Sequence, residues 1–191
     1  GGGGEPIAAD YEVSFDGSGT LEALTLELHF EAGWFLGDAS GDLAMAVGFS
    51  DNAFYCPSFH CKGVPYKTDT LHRSSQRAPG VVQSITSTLV AVEHVARSLR
   101  LPFEAVQERN FYKVGKKTPF GDEIGSATFN WTLPKVWSKL RADADFDERL
   151  AEVARYNAGS RWRKRGLAMT PVKYGMSIGD YHSLSTVKIY G

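Results

Sequence analysis

Between Ser74 and Gln83 the chain reads Ser-Ser-Gln-Arg-Ala-Pro-Gly-Val-Val-Gln, which puts small residues, one guanidinium and free backbone amides where a helix begins. Amides at a helix N-terminus, backed by the helix dipole, attract negative charge. An arginine adds a planar, permanently charged fork that can form paired hydrogen bonds. Together they can retain an anionic cofactor, and Arg77 is the central residue of that arrangement.

Other reactive residue types are arranged less productively. Cys56 and Cys61 flank His60, but a structural zinc ion needs four ligands, usually from two clusters, and no second cluster accompanies this one. The histidines are widely separated, and no Gly-x-Ser-x-Gly, His-Glu-x-x-His or phosphate-binding Walker loop occurs. Asp143 with Asp145, and Asp147 with Glu148, fall at helix ends, where solvated charge is the simpler role. Arg161, Arg163, Lys164 and Arg165 surround Trp162; this knot can touch phosphate, and the plainer reading is a solvated strand entry.

The elements that must position Arg77 are legible from periodicity. Tyr11–Phe15 and Leu24–Phe30 alternate apolar and polar residues around Asp16-Gly17-Ser18-Gly19, which predicts a β-hairpin with one buried face. Residues 39–50 suit a short buried helix. Ser58–Lys67 is strand-like, and Pro65 restricts it to an edge, a bulge or an irregular stretch. After a polar loop from Thr68 to Gly80, Val82, Ile85, Leu89, Val92, Ala96 and Leu99 recur at helical spacing. Pro102 opens a second helix that ends near Asn110. Thr132 caps a helix through Trp137 and Leu140, and Phe146 to Tyr156 form another, ended by Asn157-Ala158-Gly159. Strands near 165–177 and 183–190 complete the expectation. Antiparallel strands at both ends with a central group of helices make this an α+β chain, without a repeating βαβ unit.

Composition sets outer bounds. The 191 residues are 42% hydrophobic and 12% aromatic, enough for one domain core. A net charge of −1 gives no long-range attraction for nucleic acid or an anionic membrane. No apolar run approaches the roughly 20 residues that span a bilayer, and no signal-peptide pattern opens the chain. Two cysteines are too few for a secreted disulfide framework; the expected location is cytoplasmic, with the peroxisome as the other compartment. Both ends read as cut from something longer.

From Asp51-Asn52 through Tyr66-Lys67-Thr68-Asp69-Thr70 to Gln76-Arg77-Ala78-Pro79-Gly80-x-x-Gln83, the chain resembles the xanthine dehydrogenase and aldehyde oxidase family. The likeness continues through Glu93-His94-Val95-Ala96, Arg109-Asn110-x-Tyr112-Lys113-x-Gly115, Thr118-Pro119-Phe120-Gly121, Leu133-Pro134-x-x-Trp137 and Lys164-Arg165-Gly166-Leu167-x-x-Thr170-Pro171-Val172-Lys173-Tyr174-Gly175.

The resemblance implies that residues 1–191 form one segment of the molybdopterin-binding domain of a larger, homodimeric oxidoreductase. It implies a molybdenum-centred hydroxylation of a purine, related heterocycle or aldehyde, with electrons leaving through 2Fe–2S clusters to FAD in other domains of the same chain. Arg77 corresponds to an arginine beside the cofactor. The family's glutamate base is expected outside the segment, which should be inactive alone. Pro79 stands where the family carries a substrate-stacking phenylalanine. Met45 stands where xanthine-oxidising members place an arginine, and a thioether supplies neither its charge nor its paired hydrogen bonds. Ile178 and Gly179 stand at the positions of a second phenylalanine and a threonine. These changes point to an aldehyde-type or other altered substrate, or to a member that has lost catalysis.

Overall fold

The computed structural model describes residues 4–126 and 130–174. Two long strands, β1 (Ile7–Phe15) and β2 (Leu21–Gly33), pair antiparallel with Ile7 opposite Phe30 and Tyr11 opposite Leu26. The turn between them is held by Asp16, whose carboxylate accepts hydrogen bonds from the Ser18 amide at 2.8 Å and the Thr20 amide at 2.9 Å. Leu24, Leu26, Leu28 and Phe30 line the face of β2 that is fully buried, as their alternation with polar residues requires.

Helix α1 (Ala39–Phe49) leads to β3 (Ser58–Lys67), which pairs with β2 in parallel, so the sheet order is β1-β2-β3 and the sheet is mixed. Pro65 lies opposite Phe30 on this edge strand, where a missing N–H is tolerated. A parallel neighbour needs a crossover, and α1 supplies it: the described residues contain one β-α-β unit and no repeating series of them. Gly63 lets α1 lie on β3, since a Cβ there would come within 2.4 Å of Leu43 Cδ1.

Helix α2 (Val81–Leu99) covers the sheet beside α1. Its buried face differs from the expected one at the start: Val81 is 2% exposed while Val82 is 59% exposed. Ser84, Thr88, Ala91 and Ala96 share the buried face, because small side chains let this helix approach α1 closely. Thr88 Oγ1 there donates to the Ser50 carbonyl. Large aliphatic residues alone therefore point to a face rotated by about one residue.

Helix α3 (Phe103–Asn110) ends at a side chain that joins it to the hairpin: Asn110 accepts from the Leu21 amide at 2.8 Å and donates to the Gly19 carbonyl at 2.8 Å. Helices α4 (Leu133–Asp143) and α5 (Phe146–Gly159) follow. Thr132 precedes α4 without making the side-chain cap that its type suggests; Pro134 in the first turn fixes the helix start instead. Trp137 anchors α4 by packing edge-on to Phe111 at 5.2 Å and donating from Nε1 to Glu108 at 2.6 Å.

Residues 165–174 form an irregular extended segment with no strand partner; the rest of the two C-terminal strands expected from sequence lies outside the described residues. The basic knot serves α5. Lys164 Nζ donates to the Ser160 carbonyl at 2.7 Å and also reaches the Asn157 carbonyl, and Arg165 lies over the Tyr156 ring at 4.0 Å. This places positive charge at a helix C-terminus.

Candidate cofactor-side site

The Ser74–Gly80 loop enters α2 through two left-handed residues, Ala78 at φ 57° and Gly80 at φ 68°. Gly80 is obligatory for two reasons. Its φ disfavours a side chain, and a Cβ there would sit 2.1 Å from the Asp42 carbonyl oxygen and 2.9 Å from Ala46 Cβ. The loop thus rests directly on α1, and the guanidinium of Arg77 is left exposed, with no carboxylate in ion-pair contact among the described residues.

A helix start leaves four amides without helical carbonyls. Here Val81 N donates to the Ala78 carbonyl at 3.2 Å and Ser84 N to the Gly80 carbonyl at 3.1 Å, while Val82 and Gln83 amides take no partner among the described residues. An exposed, uncompensated guanidinium beside two free amides is a donor set that fits an oxyanion-bearing cofactor such as molybdopterin.

Met45 is brought to the same corner. It is half-buried on α1 and packs against the cluster of Phe49, Val81 and Ile85, as does Ala78 of the loop. Pro79 is half-buried in the adjoining turn. The segment that leads toward Ile178 and Gly179 arrives here too, since Tyr174 stacks on Phe49 with ring centroids 5.2 Å apart; Ile178 and Gly179 themselves lie outside the described residues.

Two arrangements were not apparent in the sequence. Asp51 and Asn52 form a buried clamp: Asn52 Nδ2 donates to the Pro171 carbonyl at 2.9 Å, and the Lys173 amide donates to Asn52 Oδ1 at 2.9 Å. Asp51 Oδ2 accepts from the Tyr112 hydroxyl at 2.7 Å and from Lys173 Nζ. Burial pushes the Asp51 carboxyl up from its usual value, and the Lys173 ammonium opposes this; Tyr112 is held protonated by desolvation and by the Asp51 charge. The Asp-Asn pair and the Lys are structural, and they bring the C-terminal segment to the corner.

The second is the buried pair of acids Glu5 and Asp42 beneath the Arg77 loop, 2% and 3% exposed. Ser75 Oγ donates to Asp42 Oδ1 at 2.6 Å, and Gln83 Nε2 donates to the Glu5 carbonyl at 3.0 Å. No periodicity marks these acids, because Glu5 precedes β1 and Asp42 stands alone on α1.

Elsewhere, Cys56 is buried with its thiol pushed up to about 11 by desolvation, and no cluster of three or more metal-ligating side chains occurs among the described residues. A cleft of about 200 Å³ opens between Thr20, Tyr55, Arg109, Lys113 and Lys116. No helix among the described residues is long and apolar enough to cross a membrane.

Residues 1–111 match the family described as molybdopterin cofactor-binding domain. Over 90% of its length the chain is 29% identical to nicotinate hydroxylase hnxS of Emericella nidulans, and over 94% it is 35% identical to aldehyde oxidase 1 of Cavia porcellus. The chain spans 12% and 13% of the length of these relatives. The aldehyde oxidoreductase from Desulfovibrio desulfuricans superposes with a TM-score of 0.74 at 16% identity, over 83% of this chain and 17% of that one. The shared fold confirms the α+β class.

Proposed function

The chain belongs to the molybdopterin cofactor-binding domain family of xanthine dehydrogenases and aldehyde oxidases, and from that premise we propose that it is one segment of a larger molybdenum hydroxylase. The substrate class is a purine or related nitrogen heterocycle. The name of the nicotinate hydroxylase relative supports a heterocycle. The observation that carries the reading is the loop itself: Arg77 is exposed and free of carboxylates, two helix amides stand open beside it, and Met45 lies at the same corner.

In this reading the Arg77 guanidinium and the Val82 and Gln83 amides hold the cofactor's anionic groups. Gly80 keeps the backbone low enough on α1 for that approach. Met45 and Pro79 form an apolar rim toward substrate, and the resemblance alone makes Ile178 and Gly179 further substrate-pocket positions. Bound molybdopterin supplies two-electron redox chemistry, with 2Fe–2S clusters and FAD in other parts of the full-length protein taking the electrons. The proton-accepting glutamate is contributed by another part of that protein, which acts as a cytoplasmic homodimer.

Aldehyde oxidation is the second reading, favoured by one observation. Met45 is packed among apolar side chains and offers no hydrogen bond to a purine oxygen, whereas an aromatic aldehyde needs none there.

The test is the molybdenum content of the full-length protein and of its Arg77→Ala variant by elemental mass spectrometry, followed by flavin reduction with xanthine, nicotinate and an aromatic aldehyde. Stoichiometric metal in the parent, lost in the variant, is expected. A folded parent without molybdenum from a cofactor-competent host would overturn the catalytic reading in favour of a degenerate scaffold. Preferential reduction by the aldehyde would replace the heterocycle assignment with the second reading.

A further inference from the structure

Asp42 touches both ends of the loop that presents Arg77. Its carboxylate accepts from Ser75 Oγ at 2.6 Å, and its backbone carbonyl lies where a side chain on Gly80 would be, 2.1 Å from the position of a Cβ. Everything between, including Arg77, is spanned from this one residue. The remaining oxygen, Asp42 Oδ2, is buried and receives no hydrogen bond among the described residues, and neither do Glu5 Oε1 and Oε2. Asp42 is the side chain that acts on the Glu5 carboxyl through both hydrogen bonding and charge.

Three buried acceptor oxygens without a donor form an arrangement that folded proteins avoid, because each carries a desolvation penalty. Two adjacent buried carboxylates would add mutual repulsion. One proton removes the repulsion and engages two of the three oxygens, since a carboxylic acid donates where a carboxylate only accepts. We propose that Glu5 is held as the neutral acid and donates to Asp42 Oδ2, so that a carboxylic acid–carboxylate pair fixes the Ser74–Gly80 loop which, on the functional reading above, holds the cofactor.

The surroundings favour this protonation. Burial raises the Glu5 carboxyl; its own backbone amide opposes this, and Asp42 on α1 and Asp38 just before that helix raise it further. No lysine, arginine or histidine forms an ion pair with either carboxyl among the described residues. From the loop come the neutral Ser75 and Gln76, the latter beside Gly4, and from α2 the neutral Gln83. The nearby Glu31 is engaged with Thr68 at 3.0 Å and Thr70 at 2.6 Å, and Arg73 acts on Glu31. Glu5 and Asp42 are therefore positioning residues, acting on Arg77 through the loop.

A group whose folded pKa is raised stabilises the fold at low pH, and that contribution is lost as pH rises through the folded value. The experiment is hydrogen–deuterium exchange over residues 74–80 of the full-length, cofactor-free protein, corrected for intrinsic rates, between about pH 5 and about pH 8. Wild-type protection should fall across that range by roughly tenfold. Glu5→Gln, whose amide donates at every pH, should retain the low-pH protection throughout. Glu5→Ala should stay about tenfold below the low-pH wild type at every pH. A flat wild-type profile, or Glu5→Gln as unprotected as Glu5→Ala, would overturn the pair. Because this readout uses no cofactor, its failure is distinct from that of the cofactor reading, which fails if Arg77→Ala retains full molybdenum.

Discussion

Lys173 and Asp51, 122 positions apart, form a buried ion pair in which the ammonium donates to Asp51 Oδ2. The side chains are 8% and 0% exposed, so each charge depends on the other for its solvation. Removing one partner of such a pair costs about 3–5 kcal/mol, because the survivor remains buried and unpaired. Lys173→Met should therefore release the segment at Pro171–Lys173 from Asn52. Exchange at the Lys173 amide, which donates to Asn52 Oδ1 at 2.9 Å, is the local reporter. The double variant Asp51→Asn, Lys173→Met should lose less protection than the sum of its two singles; strict additivity would show that the charges are not coupled.

Gly80→Ala tests whether the loop must rest on α1. A side chain there meets the Asp42 carbonyl at 2.1 Å in a left-handed backbone, so either the helix or the loop must shift. The left-handed conformation alone costs about 1–2 kcal/mol, and the clash adds to it. The expected result is a lower melting temperature together with reduced molybdenum loading. Gly17→Ala is the control, since nothing lies within 4 Å of a Cβ at that turn position. Equal behaviour of the two variants would remove the reason for glycine at position 80.

Asp16 should make the first hairpin acid-sensitive. Hydrogen bonds from Ser18 Oγ and the Thr20 amide lead the effects that hold its carboxyl down to about 2. A depressed carboxyl stabilises the fold above its unfolded value, near 3.9, and that contribution is lost as pH falls through the folded value. The melting temperature of the wild type should thus fall more steeply than that of Asp16→Asn as pH drops from about 4 toward about 2. Parallel curves would show that the turn does not depend on the ionised form.

The hairpin, α2 and α3 were readable because their information is local: alternation in β2, helical spacing in α2, a turn built on Asp16. The same alternation says nothing about strand direction, so the parallel pairing of β3 appears only when α1 is seen to cross over between β2 and β3. Arg77 stood out because a helix start and a guanidinium are neighbours in sequence. Glu5 and Asp42 carry no such mark, and Asp51 and Lys173 stand in family-like blocks that say nothing of their pairing. Each role exists only once distant segments meet.

Met45→Arg addresses substrate choice in the full-length enzyme. Met45 lies half-buried against Phe49, Val81 and Ile85, and an arginine stem can cover the same apolar surface while its head reaches outward. A guanidinium at this corner would offer paired, charge-assisted hydrogen bonds to a purine oxygen or carboxylate, worth about 1.5–3 kcal/mol in a sheltered site. An aromatic aldehyde gains nothing comparable and meets a more polar rim. The ratio of kcat/KM for xanthine over the aldehyde should therefore rise by at least about tenfold, with the change falling mainly on xanthine. An unchanged ratio in a fully loaded variant would mean that Met45 does not face substrate, and that the apolar packing with Phe49 and Val81 is its whole role.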